Sequence, residues 1–344
     1  MKKHNPTLLI TGGAGFIGSN FVNYMLHHYP DYQIINIDKL TYAGSKSNLA
    51  DADNNANYLF IQADITNRTL VNAIFNEYDI TGVVHFAAES HVDRSIKDAA
   101  VFTETNLVGT MTLLQAAKNA WEKRGALKER RFHHISTDEV YGSLGETGKF
   151  NEKTPYDPRN PYSASKAGSN MLVKSFGHTY GMNIIITSSS NNYGPRQHEE
   201  KLIPTIISNA LKGQDIPIYG DGKNVRDWLY VGDHCRALDV IFHQSATMEK
   251  YNIGGGNELT NIEIATLVCE ILDKQADVSR EESLTSFKEL ITFTEDRLGH
   301  DRRYAIDDSK LKNDLGWKPK ESLTTGLQKT VDWYVSKWLP QLTR

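Results

Sequence analysis

The stretch TGGAGFIG, residues 11–18, decides how this chain begins to fold. Residues 7–11 are apolar and predict a strand, and residues 15–29 predict the helix that follows it. A tight turn, the close approach of a pyrophosphate and helix packing each require a residue without a side chain, and Gly12, Gly15 and Gly18 supply these positions. The N-terminus of the helix then faces the phosphates. The stretch therefore predicts a dinucleotide-binding loop.

An acidic residue ends the next predicted strand, residues 33–38. Asp38 stands at the distance at which a carboxylate holds the ribose hydroxyls of a dinucleotide. A glycine-rich loop alone would also fit an ordinary turn, and Asp38 alone would fit a helix cap. Their joint occurrence around a strand, a turn and a helix favours a cofactor site. Because a carboxylate repels a ribose phosphate, we expect NAD rather than NADP.

Short apolar runs alternate with helical segments as far as residue 190. The predicted strands are residues 7–11, 33–38, 57–63, 82–87, 132–136 and 183–188, and the predicted helices are residues 15–29, 68–78, 100–120 and 162–180, with a solvated loop at 122–131. This alternation predicts an α/β fold with a doubly wound parallel sheet of the Rossmann type. Turn clusters change the pattern after residue 191. We expect an NAD-binding domain over residues 1–190, joined by part of 225–250, and a second, smaller α/β substrate lobe over 191–344.

The bulk composition narrows the class of protein. A length of 344 residues favours two lobes and a core that needs no disulfides. The two cysteines, Cys235 and Cys269, have no metal-like spacing and fit a reducing compartment. No apolar stretch approaches the roughly 20 residues of a membrane span, and a net charge of −4 argues against a nucleic-acid surface. We expect a cytoplasmic enzyme for small molecules, without a metal, a nucleic-acid partner or a membrane.

A tyrosine and a lysine four residues apart supply a candidate base. Tyr162 and Lys166 share one face of the predicted helix 162–180. An ammonium beside a phenol favours the phenolate and lowers the phenol pKa from its usual value of about 10. Tyr162 is therefore predicted to remove the proton of a substrate hydroxyl.

Three polar residues follow another predicted strand, at its carboxyl end. Thr137, Asp138 and Glu139 stand in a row, and the two acids supply one group that can donate a proton and one that can accept a proton. An elimination of water needs both. A capping cluster at a strand end would have the same composition, but doubly wound sheets place their ligands at this edge. On an extended strand the two acidic side chains would point apart unless a local bend brings them together.

Ordered runs along the chain match one known family. With the Gly-x-x-Gly-x-x-Gly and Tyr-x-x-x-Lys spacings, they make the chain resemble the extended short-chain dehydrogenase/reductase superfamily over nearly its full length. Within that superfamily the chain resembles the dTDP-glucose 4,6-dehydratase family. The runs are DKLTYAG (38–44), AAESHVDRS (87–95), STDEVYG (136–142), SNNYGP (190–195), KLIP (201–204), RDWLYV (226–231) and DRLGHD (296–301).

The resemblance implies a tightly bound NAD that is regenerated in each turnover. It implies, together with the glycine loop, NAD contacts at Gly12, Gly15, Phe16, Ile17, Gly18, Asp38, Lys39, Leu40, Thr41, Asp64, Ile65, Phe86, Ala87, Ala88, Glu89, Ser90, Thr105, Tyr162, Lys166 and Asn192.

The resemblance also implies a nucleotide-sugar substrate for the second lobe. Its contacts are Ser90, Thr137, Asn191, Lys201, Leu202, Pro217, Ile218, Tyr219, Arg226, Asn261, Asp296, Arg297, Leu298, Gly299 and His300. A diphosphate needs cations, which Lys201 and Arg226 supply, the latter with bidentate geometry. Tyr219 can stack on a base. Considered one at a time, Lys201 would also fit a solvated charge, Arg226 an ion-pair partner and Tyr219 a partly buried core residue.

The family's reaction gives each catalytic residue an expected role. Tyr162 removes the proton of the hydroxyl on glucose carbon 4, Lys166 holds the phenolate and the ribose, and Thr137 hydrogen-bonds the carbon 4 oxygen. Glu139 takes the carbon 5 proton and Asp138 protonates the leaving hydroxyl of carbon 6. The implied product, dTDP-4-keto-6-deoxyglucose, serves deoxysugar biosynthesis of the rhamnose type. Family members also form homodimers through the helices predicted here at 100–120 and 162–180.

Other readings of the sequence stay open. A sister dehydratase for CDP-glucose or GDP-mannose would keep the acidic pair and differ around residues 217–219. A sugar-nucleotide epimerase or decarboxylase would share the glycines, Tyr162 and Lys166 but would not need the pair. A non-catalytic NAD-sensing regulator would keep only the glycine loop. Residues 196–200 and Leu298 depart from the family pattern beside the substrate, so they bear on nucleotide selectivity.

Overall fold

A computed structural model describes residues 5–275, 278, 284–296 and 301–342. The strands are β1 (Thr7–Thr11), β2 (Gln33–Asp38), β3 (Tyr58–Gln62), β4 (Gly82–His85), β5 (Arg131–Thr137), β6 (Asn183–Ser189), β7 (Asn191–Tyr193), β8 (Ile216–Tyr219), β9 (Val225–Tyr230), β10 (Glu249–Ile253), β11 (Glu258–Thr260) and β12 (Ile291–Thr294). The helices are α1 (Phe16–His28), α2 (Arg68–Glu77), α3 (Val92–Lys97), α4 (Ala99–Thr103), α5 (Thr110–Lys123), α6 (Pro161–Tyr180), α7 (Leu202–Leu211), α8 (Val231–Gln244), α9 (Asn261–Leu272), α10 (Ser309–Leu315) and α11 (Leu323–Leu342). None of the helices in these ranges is long and apolar enough to cross a bilayer.

Seven parallel strands form the main sheet, in the order β10-β6-β5-β4-β1-β2-β3. The strands are buried because helices cover both faces, which explains their continuous apolar runs. Strand order reverses between β1 and β4, and a doubly wound sheet opens its ligand crevice at such a switch point. The Rossmann-type sheet predicted from the sequence is confirmed.

The second lobe is smaller and has its own core. Strands β11, β9 and β7 form a three-stranded sheet, and β12 pairs with β8 in a two-stranded one. Helices α7, α9 and α11 pack on these strands around a separate apolar cluster. The chain returns to the main sheet twice, because α8 packs on α1 and β10 pairs with β6. The boundary at residue 190 stays a prediction.

The helix expected over residues 100–120 is present and contains a π-helical segment. Its first part is α4, residues 104–109 form a π-helical segment, and α5 then continues to Lys123. A Cβ at Gly109 would lie 2.5 Å from the Cδ1 atom of Ile65, so the widened turn and the missing side chain let the helix pass close to the sheet. The loop expected at 122–131 is shorter at both ends, because β5 begins at Arg131.

Candidate functional site

The glycine loop packs tightly between β1 and α1. Gly12 adopts φ +73°, a conformation that favours glycine, and a Cβ there would lie 2.6 Å from the Ala87 amide nitrogen. A Cβ at Gly18 would lie 2.2 Å from the Gly12 carbonyl oxygen. Gly15 is the N-cap of α1 and borders the cleft. The loop therefore leaves the helix N-terminus open to a phosphate group, as the sequence predicts.

Asp38 ends β2 and faces the glycine loop. Its Oδ2 atom accepts a hydrogen bond from the Ala14 amide at 2.9 Å, and Oδ1 accepts one from the Leu40 amide at 2.8 Å. Burial raises the pKa of the Asp38 carboxyl, and these two amides oppose that shift. A carboxylate accepts more than two hydrogen bonds, so Asp38 keeps acceptor capacity for ribose hydroxyls.

One cleft at the carboxyl ends of the strands gathers most of the predicted cofactor residues. It is lined by Gly12, Gly15, Phe16, Ile17, Gly18, Asp38, Lys39, Thr41, Asp64, Ile65, Phe86, Ala87, Ala88, Glu89, Ser90, Thr105, Tyr162 and Lys166. Lys39 forms a 2.6 Å ion pair with Asp64 on its wall. Leu40 and Asn192 are not in its lining. Asn192 instead contacts the buried His234, with 2.8 Å between Oδ1 and Nδ1.

Tyr162 and Lys166 lie one turn apart near the start of α6, and both are buried. The capping box of Asn160 and Ser163 fixes this helix start. The Lys166 ammonium donates to the Ile135 carbonyl at 2.7 Å, and burial lowers the pKa of Lys166 to about 7.

The expectation that Lys166 lowers the pKa of Tyr162 is wrong for the ligand-free chain. Burial and the nearby Glu139 carboxylate raise the pKa of the phenol instead. Lys166 is itself costly to charge at this depth, so it does not offset the burial of its neighbour. A phenolate here needs added positive charge.

Thr137, Asp138 and Glu139 lie where β5 ends. Residues 138–141 form a 3₁₀ turn, which supplies the local bend that an extended strand end would lack. The Thr137 hydroxyl donates to Asp138 Oδ1 at 3.3 Å and accepts from the Glu139 amide at 3.3 Å. It is also near enough to Tyr162 to oppose the rise in the pKa of that phenol. The two acids are close enough that Glu139 raises the pKa of Asp138.

Asp138 is held as a neutral acid. Burial is the largest cause that raises its pKa to about 8, followed by the charges of Glu139 and Asp227. Its Oδ2 atom is buried and has no hydrogen-bond partner among the residues that the structure describes. An unpartnered buried oxygen costs about 1–3 kcal/mol. The arrangement suits a group that donates a proton to a ligand.

Arg226 is buried beside this acidic pair. Its guanidinium donates to the Val225 and Asp301 carbonyls, both at 2.8 Å, and stacks 4.4 Å from the ring centre of Tyr304. The Tyr304 hydroxyl donates to the Asp301 carboxylate. Arg226 therefore approaches the predicted site from within the protein rather than as an exposed phosphate clamp.

The other predicted substrate residues lie on several separate elements, and two of them line the cleft. Lys201 and Ser90 line the cleft, Asn191 lies in β7, and Leu202 and Asn261 begin α7 and α9. Pro217, Ile218 and Tyr219 lie in β8, where Ile218 is buried and Tyr219 is 47% exposed. Asp296 lies beside Gly220, within 2.9 Å of a Cβ built there. Arg297, Leu298, Gly299 and His300 fall outside the described residues.

Sequence reasoning missed a polar cluster across the mouth of the cleft. Glu200 Oε2 lies 3.6 Å from His91 Nε2 and 3.8 Å from His198 Nδ1, and Arg94 stacks 3.5 Å from the ring centre of Tyr42. Tyr42, His198 and Glu200 line the cleft, as does Gln197. The only signal in the sequence was the departure of residues 196–200 from the family pattern.

Tyr304 was missed as well. It packs with Val140 and Tyr141 in one apolar cluster, and the Glu139 charge contributes to raising its pKa, although they are more than 160 residues apart. No local pattern connects the two positions.

The site has the layout of one enzyme class. A buried tyrosine and lysine face the inner end of a dinucleotide cleft, at the switch point of a doubly wound sheet, as hydride transfer between NAD and a hydroxyl carbon requires. This arrangement defines a member of the extended short-chain dehydrogenase/reductase superfamily.

Comparison with known proteins identifies the family within this superfamily. The family model described as GDP-mannose 4,6 dehydratase matches residues 9–330. A dTDP-glucose 4,6-dehydratase of Haemophilus influenzae is 50% identical over 331 residues, 95% of this chain and 97% of that protein. The NAD complex of dTDP-glucose 4,6-dehydratase from Bacillus anthracis is 45% identical, with a TM-score of 0.84 over 97% of this chain and 98% of that chain. For the Streptomyces venezuelae enzyme, also with NAD bound, the identity is 44% and the TM-score 0.86 over 96% and 98%. The chain belongs to the dTDP-glucose 4,6-dehydratase family.

Proposed function

We propose that the protein converts dTDP-glucose to dTDP-4-keto-6-deoxyglucose and water. The observation that carries the proposal is the pair formed by Asp138, a buried carboxyl whose pKa is raised to about 8, and Glu139, next to the buried Tyr162. An alcohol dehydrogenase needs the tyrosine, whereas only an elimination needs both acids. Relatives of about half-identical sequence carry this activity in their names.

The described cleft fits NAD. Its glycine loop leaves room for a pyrophosphate at the N-terminus of α1, and Asp38 keeps acceptor capacity for the ribose. A bound NAD supplies a hydride acceptor at carbon 4 and a hydride donor at carbon 6, and it is regenerated within each turnover. Tight retention follows from this need, because a lost cofactor would leave the reaction at an intermediate.

Tyr162, Thr137 and Lys166 act on carbon 4. The Tyr162 oxygen takes the hydroxyl proton of carbon 4, and the Thr137 hydroxyl, which lies at the end of β5 near Tyr162, holds the oxygen that becomes the ketone. Lys166 holds the phenolate and the ribose. Its pKa of about 7 lets it gain or lose a proton near neutral pH.

Asp138 and Glu139 act on carbons 5 and 6. The new ketone acidifies the hydrogen on carbon 5, which the Glu139 carboxylate removes. Asp138 is the proton donor to the leaving hydroxyl of carbon 6, because its carboxyl stays protonated at neutral pH and its Oδ2 atom has no partner in the described chain. Glu139 then returns its proton to carbon 5 as hydride reaches carbon 6.

The second lobe holds the nucleotide. Lys201 lines the cleft and supplies positive charge for the diphosphate, and Arg226, buried beside the acidic pair, adds its charge from inside the protein. Tyr219 is exposed on β8, where its ring can stack on the base. These assignments support a nucleoside diphosphate sugar, and the name of the relatives favours thymine as the base.

The protein acts as a homodimer in the cytoplasm. Val101 in α4 and Met171 in α6 are large apolar side chains that are 42% and 59% exposed, on the helices expected to pair with a second copy. Both cysteines, Cys235 and Cys269, are buried thiols, which suits a reducing compartment.

One experiment separates this function from its rivals. The purified protein is offered dTDP-glucose, CDP-glucose, UDP-glucose and GDP-mannose separately, and the products are identified by mass spectrometry. Loss of 18 mass units from dTDP-glucose alone is the expected result. Water loss from CDP-glucose or GDP-mannose would assign the sister dehydratase, an isomer of the substrate would assign an epimerase, and no product would assign a regulator.

A further inference from the structure

The segment between β7 and α7, residues 195–201, crosses the mouth of the cofactor cleft and is named the strap here. Four of its residues, Gln197, His198, Glu200 and Lys201, line the cleft together with the glycine loop. One end of the strap contacts the connections that follow β1 and β2, and the other end contacts α3, which follows β4. Because strand order reverses between β1 and β4, the strap spans the switch point at which the cleft opens.

Arg196 ties the first end of the strap to the main-sheet lobe. Its guanidinium donates to Asn20 Oδ1 in α1 at 3.1 Å and forms a 2.7 Å ion pair with Asp51. The Asn20 side-chain amide donates to the Pro195 carbonyl at 3.0 Å, so α1 and the strap are joined in both directions. Arg196 also adopts φ +71°, a conformation that a residue other than glycine keeps only when its surroundings hold it there.

The other end of the strap is tied to the start of α3. Glu200 Oε2 lies 3.6 Å from His91 Nε2 and 4.0 Å from Arg94 Nη2. The His198 ring packs edge-on against Tyr42, with 5.6 Å between the ring centres, and Tyr42 also lines the cleft. The strap is therefore held on both sides of the switch point, and a dinucleotide that fills the cleft meets the strap along one wall.

The tie at Arg196 depends on a residue that the sequence marks as unusual. Arg196 opens the stretch 196–200, which departs from the family pattern. Its side chain is 18% exposed, whereas that of Asp51 is 72% exposed. An isolated ion pair to such an exposed carboxylate contributes little. Here the same guanidinium also bonds Asn20, so loss of the guanidinium removes two links at once.

We propose that Arg196 is a positioning residue that keeps the strap closed over the cleft and so slows the loss of NAD. NAD leaves while the strap is open, so the rate of release follows the fraction of molecules in which the strap is open. Removal of the two links raises that fraction. This inference rests on the proposed NAD site and deepens it, because it names the residue that retains the cofactor while the reaction is incomplete.

The test measures how fast NAD leaves the intact protein. Protein loaded with radiolabelled NAD is mixed with an excess of unlabelled NAD, and the label that stays bound is counted over time. Arg196→Met, which keeps much of the side-chain length without the charge, is expected to release NAD about three- to tenfold faster than the wild type. Arg196→Lys keeps the charge but not the forked donor, and its rate should fall between the two. Lys128→Met, at an exposed lysine outside the cleft lining, has the same loss of charge and should match the wild type.

A change on the other partner tests the same link independently. Asp51→Asn removes the ion pair alone and should speed the release of NAD about twofold or more, but less than Arg196→Met does. The double variant should release NAD no faster than Arg196→Met, because both changes break one link and their effects do not add.

Three results would overturn the role of Arg196. They are release from Arg196→Met at the wild-type rate, an equal acceleration in Lys128→Met, and a double variant whose acceleration is the product of the two single effects. If Arg196→Met does not fold, an unchanged rate in Asp51→Asn would overturn it as well. The proposed function is judged separately by its product, because a wild-type protein that holds NAD but makes no keto sugar would lose that function while the release rates still decide the role of the strap.

Discussion

The Lys166 Nζ atom lies 2.7 Å from the Ile135 carbonyl oxygen, inside the protein rather than at its surface. This contact fixes the ammonium between α6 and the end of β5, next to the cleft. It gives the ammonium one hydrogen-bond acceptor, and no carboxylate forms an ion pair with it among the residues that the structure describes, so burial is the dominant influence on its pKa. A buried ammonium without a counter-charge lowers the stability of the fold, so we infer that Lys166 is buried here for its function.

Lys166→Met should raise the free energy of unfolding of cofactor-free protein at pH 6, by an amount on the order of a few kcal/mol, while abolishing turnover. The pKa of Lys166 is lowered to about 7 in the folded chain and is about 10.5 when unfolded. Between these values the unfolded chain binds one more proton, so wild-type stability rises with pH and the advantage of the variant shrinks. Urea unfolding at pH 6 and pH 9 measures this. Lys174→Met, exposed on the same helix, is the control and should show no such pH dependence.

The kcat/KM for the proposed reaction should fall as pH rises above about 8. Asp138 donates its proton to the leaving hydroxyl and must be protonated in the free enzyme, and its pKa is raised to about 8. Asp138→Asn should lower turnover roughly a hundred- to ten-thousandfold and remove this descending limb. A pH profile of dTDP-glucose consumption checks both. An unchanged limb in the residual activity of the variant would assign the titration to another group.

Glu139→Gln should still form NADH but should not complete the reaction. Oxidation at carbon 4 needs Tyr162, Lys166 and NAD, whereas removal of the carbon 5 proton needs the Glu139 carboxylate. Absorbance after rapid mixing with dTDP-glucose should therefore show enzyme-bound NADH that persists. Asp138→Asn is the matched control, in which solvent deuterium should enter carbon 5 without loss of water. The reverse pattern in the two variants would exchange their roles.

Asp38→Asn should weaken the binding of NAD and reduce the discrimination against NADP. The amide keeps an oxygen for the Ala14 or Leu40 amide but removes the charge that opposes a ribose phosphate. Titration of both cofactors into cofactor-free protein gives the ratio of dissociation constants, which should move at least tenfold towards NADP. Asp64→Asn, which breaks the ion pair with Lys39 on the cleft wall, serves as a comparison for general loss of charge. An unchanged ratio in Asp38→Asn would rule out this role.

Met171→Glu should convert the proposed dimer to monomers. The side chain is 59% exposed on α6, and a buried carboxylate at a two-fold interface would face its own copy. Light scattering at micromolar concentration reports the mass. Leu59→Glu, at a partly exposed apolar position on the edge strand β3, should leave the mass unchanged. A monomeric wild-type protein would refute the dimer directly.

Local patterns predicted the framework correctly, because strands, turns and the glycine loop depend on neighbouring residues. The spacing of Tyr162 and Lys166 likewise predicts that they share a helix face, which the structure confirms. The burial of that face is a tertiary property, so the expected fall in the pKa of Tyr162 was wrong. The π-helical segment at 104–109 was also missed; at its end Gly109 packs against Ile65, a contact between distant segments that the local sequence pattern does not show.

Contacts between distant segments explain the other features of the site that the sequence did not predict. Tyr304 packs beside Val140, and Glu200 approaches His91 across the cleft. The return of residues 301–304, which places the Tyr304 ring against the guanidinium of Arg226, could not be read from the sequence around Arg226. Residue type correctly suggested charge near the site. It carried no information on which side of the cleft each charge would occupy.

The order of strands in the main sheet also determines when this chain can complete its fold during synthesis. Strand β6 is buried along its whole length, and its outer neighbour β10 is synthesised some sixty residues later, after β7, α7, β8 and β9 of the second lobe. A nascent chain that ends near residue 190 would present the open edge of β6 and the bare face of α1 that α8 later covers. The NAD-binding sheet therefore cannot be completed before the first part of the second lobe is translated, and a single crossover near residue 190 would not exchange the two lobes between relatives as independent units.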